Sequence, residues 1–130
     1  MFKTYKYFIF TENPDKLVKF YTDALGWKIV RKLEFDLDYG YTLEISPGGQ
    51  QVWLAQHSDI KGKNKDPLRH ILNLYTDEQG KYLEAVKKYP GAKVIAEPFS
   101  MGEIVPGEER WCSTVQDPEG NTLQFMGEKP

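Results

Sequence analysis

The sequence predicts an α+β fold in which one β-α-β-β-β module is used twice in tandem. Three observations carry this. Apolar residues pass from strand-type alternation to helical spacing and back, and the same order restarts after residue 69. A polar, Lys-rich stretch over 58–69 separates the runs. Helix-start signatures, Asn13-Pro14 and Thr76-Asp77-Glu78-Gln79, each follow a strand pattern. The chain of 130 residues is then a single domain: module one over about 1–57, a linker over about 58–69 and module two over about 70–130.

Each element has a local reason. Tyr5 to Thr11 is aromatic and β-branched and reads as a strand. Asn13 is a strong N-cap and Pro14 suits the first helical position. Leu17, Phe20, Tyr21, Ala24 and Leu25 form one helical stripe that Gly26 stops. Trp27–Phe35 and Tyr39–Ser46 read as strands, then a tight turn at Ser46-Pro47-Gly48-Gly49, then a strand over Gln51–His57. In module two, His70–Thr76 reads as a strand and Thr76-Asp77-Glu78-Gln79 as a capping box. Tyr82, Ala85, Val86 and Tyr89 make the next helical stripe, which Pro90-Gly91 ends, and Ala92–Ala96 reads as a strand. A Gly- and Pro-containing loop is expected over 98–108, more mobile than its flanks. Glu109–Gln116 and Asn121–Met126 form a last hairpin around Asp117-Pro118-Glu119-Gly120-Asn121, which suits a type I turn with Gly120 left-handed.

Composition narrows the function. Apolar residues are 40% and charged residues 28%, so the chain is globular. A net charge of −2 gives no basic face for nucleic acid. The single Cys112 excludes an internal disulfide framework and any Cys-rich metal cluster. No apolar run approaches the ~18 residues of a membrane span. No signal-type stretch follows Met1, so a cytoplasmic protein is expected. Seven Phe, eight Tyr and three Trp make 14% aromatic residues, enough for a core and for walls around a flat organic molecule.

Isolated chemical groups carry less. His57 and His70 flank the linker and read as exposed strand-end residues rather than a metal or acid–base pair, since no carboxylate lies at ligand spacing with either. Cys112 reads as a small buried hydrophobe, with only Arg110 nearby to activate it. Lys61, Lys63 and Lys65 read as a solvated linker, and Glu103, Glu108 and Glu109 as solvated loop carboxylates.

The ordered pair of motifs resembles the vicinal oxygen chelate superfamily of glyoxalase I, extradiol dioxygenases and bleomycin-resistance proteins. The resemblance rests on Asn13-Pro14-Asp15-Lys16, Phe20-Tyr21 and Leu25-Gly26-Trp27, then Asp117-Pro118-Glu119-Gly120-Asn121-Thr122-Leu123, and covers nearly the whole chain. It implies paired modules whose mixed sheets curve around a cleft. Metal enzymes of that group place His or Glu at four cleft positions. Here the first falls on Lys6, the second on Trp53 or Leu54, the third on His70 or Ile71, and the fourth on Gln124. Lysine, tryptophan and a neutral amide are poor ligands, so no metal and no cofactor are expected.

Period-two alternation puts Phe8 and Phe10 with Lys6, and Asn73 and Tyr75 on the cleft side. The expected site is a cleft lined by Lys6, Phe8, Phe10, Trp53, Asn73, Tyr75 and Gln124. Trp111, with Phe99 and Met101, is expected to close it from the long loop. The expected function is binding of a small organic ligand, of the bleomycin-resistance kind, without catalysis. Two alternatives stand beside it: a metal-dependent lyase, isomerase or dioxygenase, and an accessory protein with a filled cleft. A homodimer is expected, because such modules leave strand edges and aromatic faces uncovered.

Overall fold

The computed structural model describes residues 1–130, which separate into two compact units, Met1–Gly62 and Lys63–Pro130. The boundary falls inside the stretch read as a linker. Each unit is one four-stranded mixed sheet with helical structure on one face. No helix is long and apolar enough to cross a membrane.

Unit one runs β1 (Tyr7–Thr11), α1 (Pro14–Lys19), β2 (Lys28–Phe35), β3 (Asp38–Glu44) and β4 (Gln51–Gln56). Its strand order is β1-β4-β3-β2, with β1 parallel to β4 and the other pairs antiparallel. Asn13 caps α1 as expected: its side-chain oxygen accepts the Lys16 N–H at 3.1 Å, with Pro14 at the first helical position. The helix does not continue in α-form to Leu25. Phe20–Ala24 widens into a π turn, which lets both Phe20 and Tyr21 point into the core, fully buried, with their rings 5.1 Å apart and edge-on. Burying two such rings contributes on the order of 2–3 kcal/mol each. The apolar stripe showed a helix but could not show the extra residue in this turn. Beneath the helix, Ile9, Leu43, Val52 and Leu54 form the buried sheet face.

Unit two runs β5 (Leu72–Tyr75), α2 (Gln79–Lys88), β6 (Lys93–Ser100), β7 (Trp111–Gln116) and β8 (Thr122–Gly127). The order is β5-β8-β7-β6, and β5 is parallel to β8 as β1 is to β4. The two units therefore share one topology.

Several expectations need correction here. His70 and Ile71 lie outside the strand, which begins at Leu72. The capping box is absent: the α2 N-cap is Glu78, and Thr76 Oγ1 accepts the Glu78 N–H at 3.0 Å. Gln79 instead turns inward, 0% exposed. Its amide donates to the Trp111 carbonyl at 2.8 Å and to the Glu128 carbonyl at 3.4 Å, and it accepts from Ser113 Oγ at 2.8 Å. The strand after α2 does not stop at Ala96. It runs through Pro98 to Ser100, followed by a single 3-10 turn at Met101–Glu103. Proline fits because β6 is an edge strand and its pairing with β7 slips between Ala96 and Phe99. The remaining loop is closed by backbone bonds, Met101 N–H to the Arg110 carbonyl at 3.0 Å and Glu108 N–H to the Val105 carbonyl at 3.0 Å.

The Asp117 turn forms as its residues dictate. The Gly120 N–H donates to the Asp117 carbonyl at 2.9 Å, and Gly120 sits at φ 81°, where a side chain would be strained. The Asp117 carboxylate, 1% exposed, accepts the N–H groups of Glu119 and Asn121 at 2.8 and 3.0 Å. Linker residue Asn64 is stapled to the same turn: its N–H donates to the Glu119 carbonyl at 2.8 Å and its amide to Asn121 Oδ1 at 3.1 Å.

Candidate functional site

Each sheet has a helix-covered face and an opposite, helix-free face, the open face, on which Thr42, Trp53, Ala55, Cys112 and Thr114 are nonetheless buried. Register decides which side chain joins which. In unit one the helix side is fixed by Tyr41, whose hydroxyl donates to Asp15 on α1 at 2.5 Å. Tyr41 pairs with Leu54 and Leu43 with Val52, so these residues share that side. The open face then holds Phe8 and Phe10 from β1, with Trp53 and Ala55 from β4 and Thr42 from β3. Lys6, expected on the same face, precedes β1, which begins at Tyr7, and lies outside the ladder. Phe8 is directly across from Trp53 and Phe10 from Ala55. Phe8 and Phe10 meet edge-on with centroids 5.7 Å apart, and Phe10 meets the His57 ring at 5.0 Å. Phe8 is 53% exposed, whereas Trp53 is only 8% exposed. His57 is anchored at the strand end, where its Nδ1 accepts the Asp59 N–H at 3.1 Å. Lys6 borders an open groove of about 420 Å³ with Thr4, Tyr5, Gly49, Gln50 and Gln51.

In unit two the helix side is fixed by the Ser113–Gln79 bond and by Tyr82 against Phe125, rings 5.7 Å apart. The open face is therefore Asn73 and Tyr75 from β5, Gln124 and Met126 from β8, and Cys112 and Thr114 from β7. Asn73 pairs with Gln124 and Tyr75 with Met126. Tyr75 is 67% exposed, and the Arg110 guanidinium lies 5.4 Å from its ring centroid. Glu108 holds that guanidinium by two bonds, 2.7 Å to Nε and 2.6 Å to Nη2. Those bonds and the Arg110 N–H push the Glu108 carboxyl down to about 2. Cys112 is buried, and burial pushes its thiol up, away from a nucleophile's range.

The structure thus brings Phe8, Phe10 and Trp53 onto one face and Asn73, Tyr75 and Gln124 onto another, while Lys6 lies before β1 and is not brought onto either. Trp111 is the exception. It pairs with Gly127 and alternates with Ser113, so it lies on the helix side of its sheet, with the Lys129 ammonium 4.9 Å from its ring. Register with β8 sets its side, and the loop before it does not.

The open faces correspond between units. Thr11 Oγ1 accepts the Asn13 N–H at 3.0 Å, as Thr76 Oγ1 accepts from Glu78. Counting back the same distance from each threonine reaches Phe8 and Asn73. The parallel pairs Phe8–Trp53 and Asn73–Gln124 are therefore equivalent places in the two modules, one aromatic and one amide. Sequence reasoning did not see this equivalence, nor that Asn73 Oδ1 is buried with no hydrogen-bond partner.

Comparison with known proteins agrees with this topology. The profile of the glyoxalase-like domain family matches residues 7–126. A search of curated proteins found no match. Among solved structures, a glyoxalase I variant from Zea mays superposes with TM-score 0.70 at 21% identity, over 93% of this chain and 43% of that one. This chain thus spans less than half of the maize chain's length. A glyoxylase/bleomycin resistance protein/dioxygenase domain from Frankia sp. gives TM-score 0.77 at 16% identity, over 99% of this chain and 93% of the other. The fosfomycin resistance protein FosX from Mesorhizobium loti gives 0.67 at 14% identity, over 96% and 90%. With the family profile covering nearly all of both modules, the chain belongs to the glyoxalase-like domain family, within the vicinal oxygen chelate superfamily.

Proposed function

We propose that this protein binds flat, largely apolar organic molecules on the helix-free sheet face of each unit and does so without a catalytic metal. The observation that carries the reading is the matched pair of positions, Phe8 beside Trp53 and Asn73 beside Gln124. Aromatic walls with a few orienting amides are what small-molecule sites use. In unit one Phe8 and Trp53 supply area at low rotamer cost, and in unit two the Asn73 and Gln124 amides set orientation beside the Tyr75 ring. Some similar structures carry names of bleomycin or fosfomycin resistance, which agrees with a ligand of small organic type.

The family implies a metal, and the residues at the corresponding positions do not fit one. The Lys6 ammonium has no lone pair, the Trp53 indole is donor-only and Gln124 offers a neutral amide. The third position falls on His70 or Ile71, both outside the strand, so even with His70 counted one ligand of four remains where a catalytic metal needs about three. Neither unit gathers three His, Cys, Asp or Glu side chains as a metal would need. No reaction step is therefore routed through a metal.

Thermal shift against a panel of planar aromatic compounds tests the reading. A ligand at a hundred times its Kd adds about 2.7 kcal/mol of stability, a rise of several degrees in Tm. Phe8→Ala is expected to reduce the rise without lowering the ligand-free Tm much, because Phe8 is more than half exposed. A panel that shifts nothing, or a shift that survives both Phe8→Ala and Gln124→Ala, overturns the proposal.

A further inference from the structure

The Asn73 side chain holds an acceptor that its own chain leaves unanswered. Its Oδ1 is buried and accepts no hydrogen bond. Its Nδ2 faces only the Met126 sulfur at 4.0 Å, a weak acceptor. Gln124, across the parallel pair, carries an amide that bonds neither to Asn73 nor to any other group. A buried acceptor without a donor is destabilising, and native structures rarely keep one without cause.

We infer that Asn73 is a specificity-determining residue whose Oδ1 takes an N–H or O–H donor from the ligand. This rests on the small-molecule reading above and names the chemistry of the ligand's polar edge. Ionic partners do not fit. The cation over the Tyr75 ring, Arg110, already has its charge matched by Glu108 through two bonds. A carboxylate or phosphate would set its lone pairs against those of Asn73 Oδ1. A neutral amide edge fits: its N–H answers Asn73 Oδ1, and its carbonyl accepts from the Gln124 amide. Tyr75, on the same face, offers a ring for a planar ligand to lie against. The cover over the carboxamide is movable, because Met126 is half-buried and methionine repacks at low cost.

The probes are benzamide, N,N-dimethylbenzamide and benzoate, titrated into the full chain. Side-chain amide and indole resonances are followed by ¹⁵N–¹H NMR. Benzamide is expected to bind at least tenfold more tightly than the other two and to shift the Asn73 and Gln124 amide signals. Asn73→Leu is expected to erase that preference and to raise the ligand-free Tm, since it removes the orphan acceptor. Asn73→Ala serves if the leucine variant does not fold. Equal binding of all three probes, with shifts at Trp53 but none at Asn73, overturns this inference and leaves the small-molecule reading standing. Persistence of the benzamide preference in either variant also overturns it. No binding by any probe at 10 mM overturns both (a ~10 mM ceiling corresponds to about −3 kcal/mol).

Discussion

Replacing Gln79 by leucine is expected to cost more than any surface change to α2. Gln79 is fully buried and makes two good bonds, 2.8 Å to the Trp111 carbonyl and 2.8 Å from Ser113 Oγ, plus a longer one of 3.4 Å to the Glu128 carbonyl. Leucine fills nearly the same volume, so packing changes little. What remains is a fully buried Ser113 hydroxyl without its acceptor and a Trp111 carbonyl without its side-chain donor. Each stranded group costs about 1–3 kcal/mol, so the substitution is expected to cost about 3 kcal/mol. Ser113→Ala alone leaves only the Gln79 oxygen unpaired and costs about 1–2 kcal/mol. In the double variant the hydroxyl and its acceptor are both gone, so the total falls short of the sum by at least ~1 kcal/mol. Urea unfolding reads this directly. At a slope of about 1.5 kcal/mol/M, Gln79→Leu lowers the midpoint by about 2 M. A loss under ~0.5 kcal/mol, or strictly additive single effects, refutes the bonding scheme.

Further outcomes follow from other contacts. The Tyr41 and Tyr39 hydroxyls donate to Asp15 and hold its carboxyl below the ordinary value of 3.8, with Lys32 adding a smaller pull. A depressed carboxyl stabilises above its unfolded pKa, so the advantage of wild type over Asp15→Asn is expected to be full at pH 6. It should fade as pH falls below about 3.8, read by urea unfolding across that range. Gly127→Ala is expected to lower stability by about 1–3 kcal/mol or prevent folding, because a Cβ there runs into the Thr76 carbonyl oxygen. A homodimer is proposed because each four-stranded sheet ends in two edge strands, and light scattering at micromolar concentration checks it: a mass of 15.1 kDa at every concentration would reject it.

What the sequence made legible was local. Asn13-Pro14 and Asp117 through Asn121 carry their structures in their own covalent chemistry, so both were readable as a cap and a turn. The open-face sets of Phe8 with Phe10 and Asn73 with Tyr75 followed from period-two alternation alone. Gln79 was misread because Thr-x-x-Gln fits both a capping box and a helix start whose glutamine is drawn inward. Only the distance to Ser113 decides between them. Pro98 reads as a strand breaker unless its strand is known to be an edge. Trp111 went to the wrong side because its phase depends on pairing with Gly127, across a turn, rather than on neighbours in sequence. The orphaned Asn73 oxygen has no sequence signature, since an asparagine in a strand satisfies its amide in many ways.

Metal stoichiometry of untagged protein tests the central claim most directly. The chain would be dialysed against zinc, nickel and manganese salts, then against buffer, and analysed for each element. With Lys6, Trp53 and Gln124 at three of the four positions and His70 at most the single remaining ligand, well under one-tenth of an equivalent, as an order of magnitude, is expected to remain. One equivalent of a transition metal retained through dialysis, and lost on Gln124→Ala, would contradict the account and place a metal on the open sheet face.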